Sequence, residues 1–161
     1  MAGKTKVIAE PGKPTILITR ELDAPRDLVF EACSKPELVR RWWGPRNTTL
    51  VVCEIDFRVG GAWRYVVRGP DGSEVGFGGV YREIVPVERI VQTSVFDPFP
   101  QAESVESCEL TALGQRTLLT VTVVHKTVEA RDGHVQAGME GGLQQTHERL
   151  DELLATMARA A

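Results

Sequence analysis

Two periodicities divide the chain. Thr15 to Leu22 (TILITREL) is rich in β-branched residues and reads as a strand. Asp23-Ala24-Pro25 then opens a short helix, where proline's missing N–H costs nothing, and Leu28, Val29 and Ala32 form its inner stripe. Ser34 and Glu37 stand at capping-box spacing and predict a second short helix that carries Leu38, Val39, Trp42 and Trp43 and stops at Gly44-Pro45. From residue 48 the alternation is that of strands, predicted over 48–57, 61–68, 74–84, 89–96, 103–112 and 117–127. Turn chemistry separates them: Gly60-Gly61, Gly69-Pro70-Asp71-Gly72, Pro86-Val87-Glu88, Asp97-Pro98-Phe99-Pro100 and Gly114-Gln115. Helical spacing returns over 132–158, where Met139, Leu143, Leu150, Leu153, Leu154 and Met157 make one apolar stripe. Residues 1–14 read as a flexible lead to a single domain over 15–158.

The order predicts an α+β fold. A curved antiparallel sheet of six to seven strands is joined by two short helices after the first strand and covered on its concave face by the long C-terminal helix. The turn at 69–72 sets Tyr65 opposite Phe77 and Trp63 opposite Gly79, so Trp63, Tyr65, Val67, Val75, Phe77 and Tyr81 share the inner face. Arg64, Arg68 and Arg82 fall on the outer one. Continued across the next turn, the inner face takes in Val91, Thr93 and Val95; on the last strand it takes in Leu119, Val121, Val123 and His125. Gly79 and the glycines at 138, 141 and 142 leave room beneath the helix. Trp43, Trp63, Tyr65, Phe77, Tyr81, Thr93, Val95, Leu119, Val121, Met139 and Leu143 therefore either line an apolar cavity or fill a solid core. An aromatic stripe by itself favours the core.

With 161 residues, a hydrophobic fraction of 42%, a charged fraction of 25% and a net charge of −3, the chain reads as globular, with no basic stripe for nucleic acid. The local run from Arg40 to Arg46 reads as a helix end with its tryptophans packed inward. Cys33, Cys53 and Cys108 are odd in number and widely spaced, which predicts free thiols in a reducing compartment, hence a cytoplasmic protein. No apolar run reaches membrane-spanning length. The histidines, His125, His134 and His147, match no zinc motif, and no nucleophile elbow, phosphate loop or dinucleotide fingerprint occurs; neither metal nor cofactor is expected. His134 is expected to be solvated and His147 to lie on the surface. His125 ends an inward row and, with Glu106 across the sheet, is the one candidate pair for proton transfer.

Several stretches together resemble the START-like, helix-grip superfamily (SRPBCC), and within it the branch named for the C-terminal domain of activators of the heat-shock-protein-90 ATPase. They are the Ala24-Pro25 opening with Val29-Phe30-Glu31-Ala32; Pro36-Glu37-Leu38 through Trp42-Trp43-Gly44-Pro45; Gly60-Gly61-Ala62-Trp63-Arg64-Tyr65 with Gly79-Val80-Tyr81-Arg82-Glu83-Ile84; and Gly138-Met139-Glu140 with Arg149-Leu150-Asp151-Glu152-Leu153-Leu154. The resemblance implies the cavity rather than the solid core, and with it a small hydrophobic ligand such as a lipid, polyketide or aromatic metabolite. It also implies two alternatives, a polyketide cyclase or dehydratase-like enzyme using a pocket acid or base, and a module that binds a chaperone or a second copy of itself. Position 143 is Leu where relatives often carry a bulkier residue, which reshapes the space under the helix.

Overall fold

The computed structural model describes residues 4–160, so the first three residues of the predicted lead lie outside it. In chain order the elements are β1 (Lys6–Ile8), β2 (Thr15–Leu22), α1 (Arg26–Ser34), α2 (Pro36–Val39), β3 (Thr49–Ile55), β4 (Ala62–Arg68), β5 (Glu74–Val85), β6 (Arg89–Phe96), β7 (Ser104–Leu113), β8 (Arg116–His125), α3 (Val128–Gln136) and α4 (Met139–Ala160). One open sheet has the order β1-β2-β8-β7-β6-β5-β4-β3. From β3 to β8 it is a meander of sequential hairpins, and β2 pairs antiparallel with β8. The class is α+β with a long C-terminal helix, as the periodicities predict.

Eight strands stand where six or seven are expected, because part of the predicted flexible lead is β1, pairing Lys6 with Thr19 and Ile8 with Leu17. Three residues carry too little alternation to be read as a strand; tertiary contacts hold them. Val7 packs beside Ile16, Ile18 and Val123, and the Thr5 N–H donates to Gln144 Oε1 of α4 at 3.0 Å.

The helix expected over 132–158 is two helices. Thr127 caps α3 earlier in the chain by accepting the Ala130 N–H at 3.0 Å. Gly138 then breaks the run with φ of 82°, a left-handed conformation that costs glycine nothing. The predicted capping box is also absent. Ser34 still belongs to α1, so its hydroxyl reaches back to the Phe30 carbonyl at 2.9 Å, and α2 begins from Lys35 without a side-chain cap.

Two core regions flank the middle of the sheet. Leu150, Leu153 and Leu154 of α4 meet Leu22, Val29, Ala32, Trp42, Leu110 and Leu119. On the other side Val39 of α2 meets Leu50, Trp63, Tyr65, Val67, Tyr81 and Ile90. The neighbouring tryptophans divide between them. Trp42 donates its indole N–H to the Ala32 carbonyl at 2.9 Å, whereas Trp43 meets Tyr65 and Phe77 edge-on at 4.9 and 5.1 Å.

The β4–β5 register is the expected one, Trp63 opposite Gly79 and Tyr65 opposite Phe77. The next hairpin departs from expectation. A bulge between Tyr81 and Glu83 adds one residue to β5 and sets Ile84 opposite Ile90. Because side chains alternate, that single residue inverts β6: Ile90, Gln92, Ser94 and Phe96 face inward, and Val91, Thr93 and Val95, expected inside, face outward.

Candidate functional site

The register defines the inner surface row by row. Phe77 lies beside Phe96. Gln92, Glu106, Val123 and Ile16 form one row across β6, β7, β8 and β2; Ile90, Cys108, Val121 and Ile18 form the next, and Ser94, Ser104 and His125 the one beyond. Residues predicted to line a cavity separate into three groups on this surface.

Trp63, Tyr65, Tyr81 and Leu119 are 5% exposed or less and belong to the packed core. The Tyr65 and Tyr81 hydroxyls hydrogen-bond one another, and burial raises both above the ordinary phenol range. Trp43, Phe77, Val121, Met139 and Leu143 keep part of their surface accessible. Phe77 stacks on Phe96 at 5.0 Å, while Met139 and Leu143 lie against the Ile16, Ile18 and Val123 cluster. Thr93 and Val95 form the third group, on the wrong face for the role predicted. Val95 is opposite Gly78, and the Thr93 hydroxyl accepts the Val80 N–H at 2.9 Å. Nor does Gly79 leave room for a ligand. The Trp63 indole N–H donates to the Thr93 carbonyl at 3.0 Å, and a Cβ on Gly79 would lie 1.9 Å from that same oxygen.

The space lies instead along the middle of the inner face. Phe77, Gln92, Ser94, Phe96, Glu106, Cys108 and Val121 are partly accessible, although Tyr81, Val123 and Ile16 in the row of Gln92 and Glu106, and Leu110 and Leu119 beyond Cys108 and Val121, are buried. Cys33 of α1 is partly accessible as well and packs against both core regions. The polar groups here are unusual for a sheet interior. Burial holds the Glu106 carboxyl above the usual carboxylate range, opposed only by a hydrogen bond with the Ser94 side chain. Burial also pushes the Cys33 thiol up to about 12 and that of Cys108 well above its ordinary value, so both stay neutral. Gln92, Ser94, Phe96, Cys33 and Cys108 were missed as lining residues. For the β6 residues no signal existed, because the bulge that re-aims them leaves no mark in the alternation.

His125 and Glu106 share the inner face, with His125 opposite Ser104 one row away from Glu106. The partner of His125 is, however, His134 of α3, with Nε2 and Nδ1 3.0 Å apart. Burial, then His134 and Arg131, lower His125 to about 4, and burial lowers His134. The expectation of a solvated His134 is therefore corrected. So is that of a surface His147, which is 4% exposed. Its polar neighbours Gln144, Gln145 and Glu148 mask its spacing, four residues after Leu143 and three before Leu150, which puts it on the buried stripe. Thr5 Oγ1 accepts from Arg20 at 3.0 Å and shares a hydrogen bond with His147 Nδ1 at 2.7 Å. Burial and Arg20 hold His147 near 4.

Two surface depressions lie elsewhere. One, of about 420 Å³, is bordered by Arg26, Glu88, Arg89 and Glu109; the other, of about 430 Å³, by Lys4, Arg46, Gln144 and Glu152. Both are dominated by charge and neither contains the central strip. Among the described residues no group of three or more His, Cys, Asp or Glu is placed to hold a metal. No helix among them is long and apolar enough to cross a membrane.

Comparison with known proteins agrees with this architecture. The model of a family described as Activator of Hsp90 ATPase homolog 1-like protein matches residues 23–155. A protein of solved structure from Chromobacterium violaceum is 30% identical, with a TM-score of 0.78 over 88% of this chain and 96% of that one. One from Nitrosomonas europaea is 26% identical, with a TM-score of 0.81 over 90% and 96%. One from Rhodobacter sphaeroides, 24% identical with a TM-score of 0.87 over 95% and 99%, shares the fold. No curated protein matches the chain.

Proposed function

Because the chain belongs to the Activator of Hsp90 ATPase homolog 1-like family, we propose that it binds a small hydrophobic molecule on the inner face of its sheet, beneath α4. One observation carries the reading. The middle of the inner face keeps accessible side chains, although Tyr81, Val123 and Ile16 beside them and Leu110 and Leu119 beyond are buried. Apolar walls from Phe77, Phe96, Val121 and Leu143 with a few polar groups, Gln92, Ser94 and Glu106, are the composition of a ligand site rather than of a core. A core would not leave a carboxyl beside apolar side chains with a single hydroxyl as its partner.

The test combines a thermal-shift screen of lipids, polyketides and aromatic metabolites with the substitution Val121→Trp. A ligand that binds only the folded state raises the melting temperature by mass action. In an open strip the added indole is accommodated, the protein stays folded and the thermal shifts vanish. If Val121→Trp instead destabilises the protein by the roughly 1–3 kcal/mol typical of overpacking, and no compound shifts the wild type, the strip is core and the reading fails.

A second reading, proton transfer of the cyclase or dehydratase type, draws on Glu106 alone. A carboxyl whose hold on its proton is strengthened by burial is suited to donate to a ligand carbonyl. It predicts turnover that is lost in Glu106→Gln while binding remains. The chaperone-directed role suggested by the family's description draws on none of the surface features described above.

A further inference from the structure

The charges around the strip restrict what enters it. Glu106 points from the centre of β7 into the inner face, between Gln92 on β6 and Val123 on β8. Along β7 its inward neighbours are Ser104 and Cys108, both uncharged. The acid therefore has hydroxyl, amide and thiol neighbours but no cation of its own.

Among the described residues, the cations buried or half-buried on this side of the sheet are already engaged. Arg20, 3% exposed on the inner face of β2, donates to Asp151 Oδ2 at 2.6 Å and to Thr5 at 3.0 Å. Arg131, also 3% exposed, is paired with Asp132 at 2.8 Å and donates to the Thr15 carbonyl at 2.9 Å. Arg149 of α4 spends its guanidinium on the carbonyls of Gly44, Pro45 and Arg41. His125 and His134 bond each other and resist protonation.

An anionic head group entering the strip would thus meet a carboxyl and no available counter-ion. Burying a second acidic group there leaves a charge that nothing compensates, and an uncompensated charge in an apolar site is strongly disfavoured. A neutral acceptor or donor, by contrast, finds a hydrogen-bond partner in Glu106. A basic amine finds more, because with Glu106 it forms a charge-assisted pair in which one positive and one negative group balance.

Resting on the ligand-binding reading, we propose that the polar group of the ligand meets Glu106 and carries no negative charge: the site takes an apolar body with an uncharged or basic group and rejects anionic amphiphiles such as fatty acids.

Head-group series on a constant apolar body test this. The probes are naphthylmethylamine, naphthylmethanol and naphthoate, with decylamine, decanol and decanoate as a flexible counterpart, each titrated by ligand-observed NMR against wild type and Glu106→Gln. In wild type the amine and the alcohol bind, and the carboxylate binds at least tenfold more weakly on the same body. In Glu106→Gln the amine falls to the level of the alcohol. A carboxylate that binds wild type as tightly as the amine overturns the head-group rule and leaves ligand binding standing. An amine affinity unchanged in a folded Glu106→Gln protein removes Glu106 as the partner and overturns the rule too. Absence of binding by all six probes defeats the ligand-binding reading itself, and this inference with it. The wild-type comparison needs no variant, so it decides the matter even if Glu106→Gln fails to fold.

Discussion

Trp63 donates its indole N–H to the backbone carbonyl of Thr93 at 3.0 Å, directly across the position where Gly79 lacks a side chain. Trp63 is opposite Gly79 in the ladder, so the ring crosses the glycine to reach a carbonyl on the next strand. This one bond ties β4 to β6 over the top of β5 and buries the tryptophan to 4% exposure.

Gly79→Ala is therefore expected to be costly. The new Cβ falls 1.9 Å from the Thr93 carbonyl oxygen, a backbone atom that cannot step aside. We expect a loss of about 2–3 kcal/mol in urea unfolding, together with a red shift of tryptophan emission as Trp63 loses its buried bond. A variant as stable as wild type would mean that β5 and β6 separate freely here.

The buried Arg20–Asp151 pair makes the second prediction. Asp151→Ala leaves a guanidinium that is 2% exposed without its carboxylate. The expected cost is about 3 kcal/mol, far above that of an exposed pair such as Lys35–Glu31. The double change Arg20→Met with Asp151→Leu should recover most of it. If Asp151→Ala and Glu31→Ala cost the same in parallel denaturation curves, the buried pair does not hold α4 to β2.

Acid sensitivity follows from His147. Its unfolded imidazole titrates near 6.5 and the folded one near 4, so the folded state resists the proton. Its contribution is complete above pH 6.5 and is lost as pH falls through 4. The loss is on the order of 3 kcal/mol between pH 7 and 4. His125, lowered in the same direction, adds to it. Comparing urea midpoints at both ends of that range, His147→Gln should decline less than wild type; equal declines would acquit His147.

Gly138→Ala tests the break between α3 and α4. Glycine holds φ at 82° there, and a Cβ there would meet no neighbouring atom within 4 Å. The penalty is conformational and should be about 1 kcal/mol, with no loss of the His125–His134 contact. A far larger loss, or a gain of helix in circular dichroism, would show that the two helices fuse in the variant.

The fold was legible in the sequence to a large degree, for reasons tied to particular residues. Gly69-Pro70-Asp71-Gly72 closes a tight turn through the Gly72 N–H and the Gly69 carbonyl at 3.0 Å. A turn so short admits one register, hence Trp63 opposite Gly79. Phe77, Val121, Met139 and Leu143 lie near the accessible strip because alternation or helical spacing put them on the inner side. Past Tyr81 the reading failed by one residue and took Thr93 and Val95 to the wrong face, since a bulge is a choice of pairing and leaves no local composition behind.

What the sequence determined by itself is the order of strands and helices, the sidedness of β4, β5 and β8, and the apolar stripe of α4, because each depends on local periodicity and turn chemistry. Tertiary structure alone decided that residues 6–8 pair as an edge strand, that His134 meets His125, and that Glu106 stands at the centre of the inner face without a cation among the described residues. Those outcomes depend on which groups the fold brings together, and burial and pairing energies between residues that meet only in space have no counterpart in the spacing of neighbours.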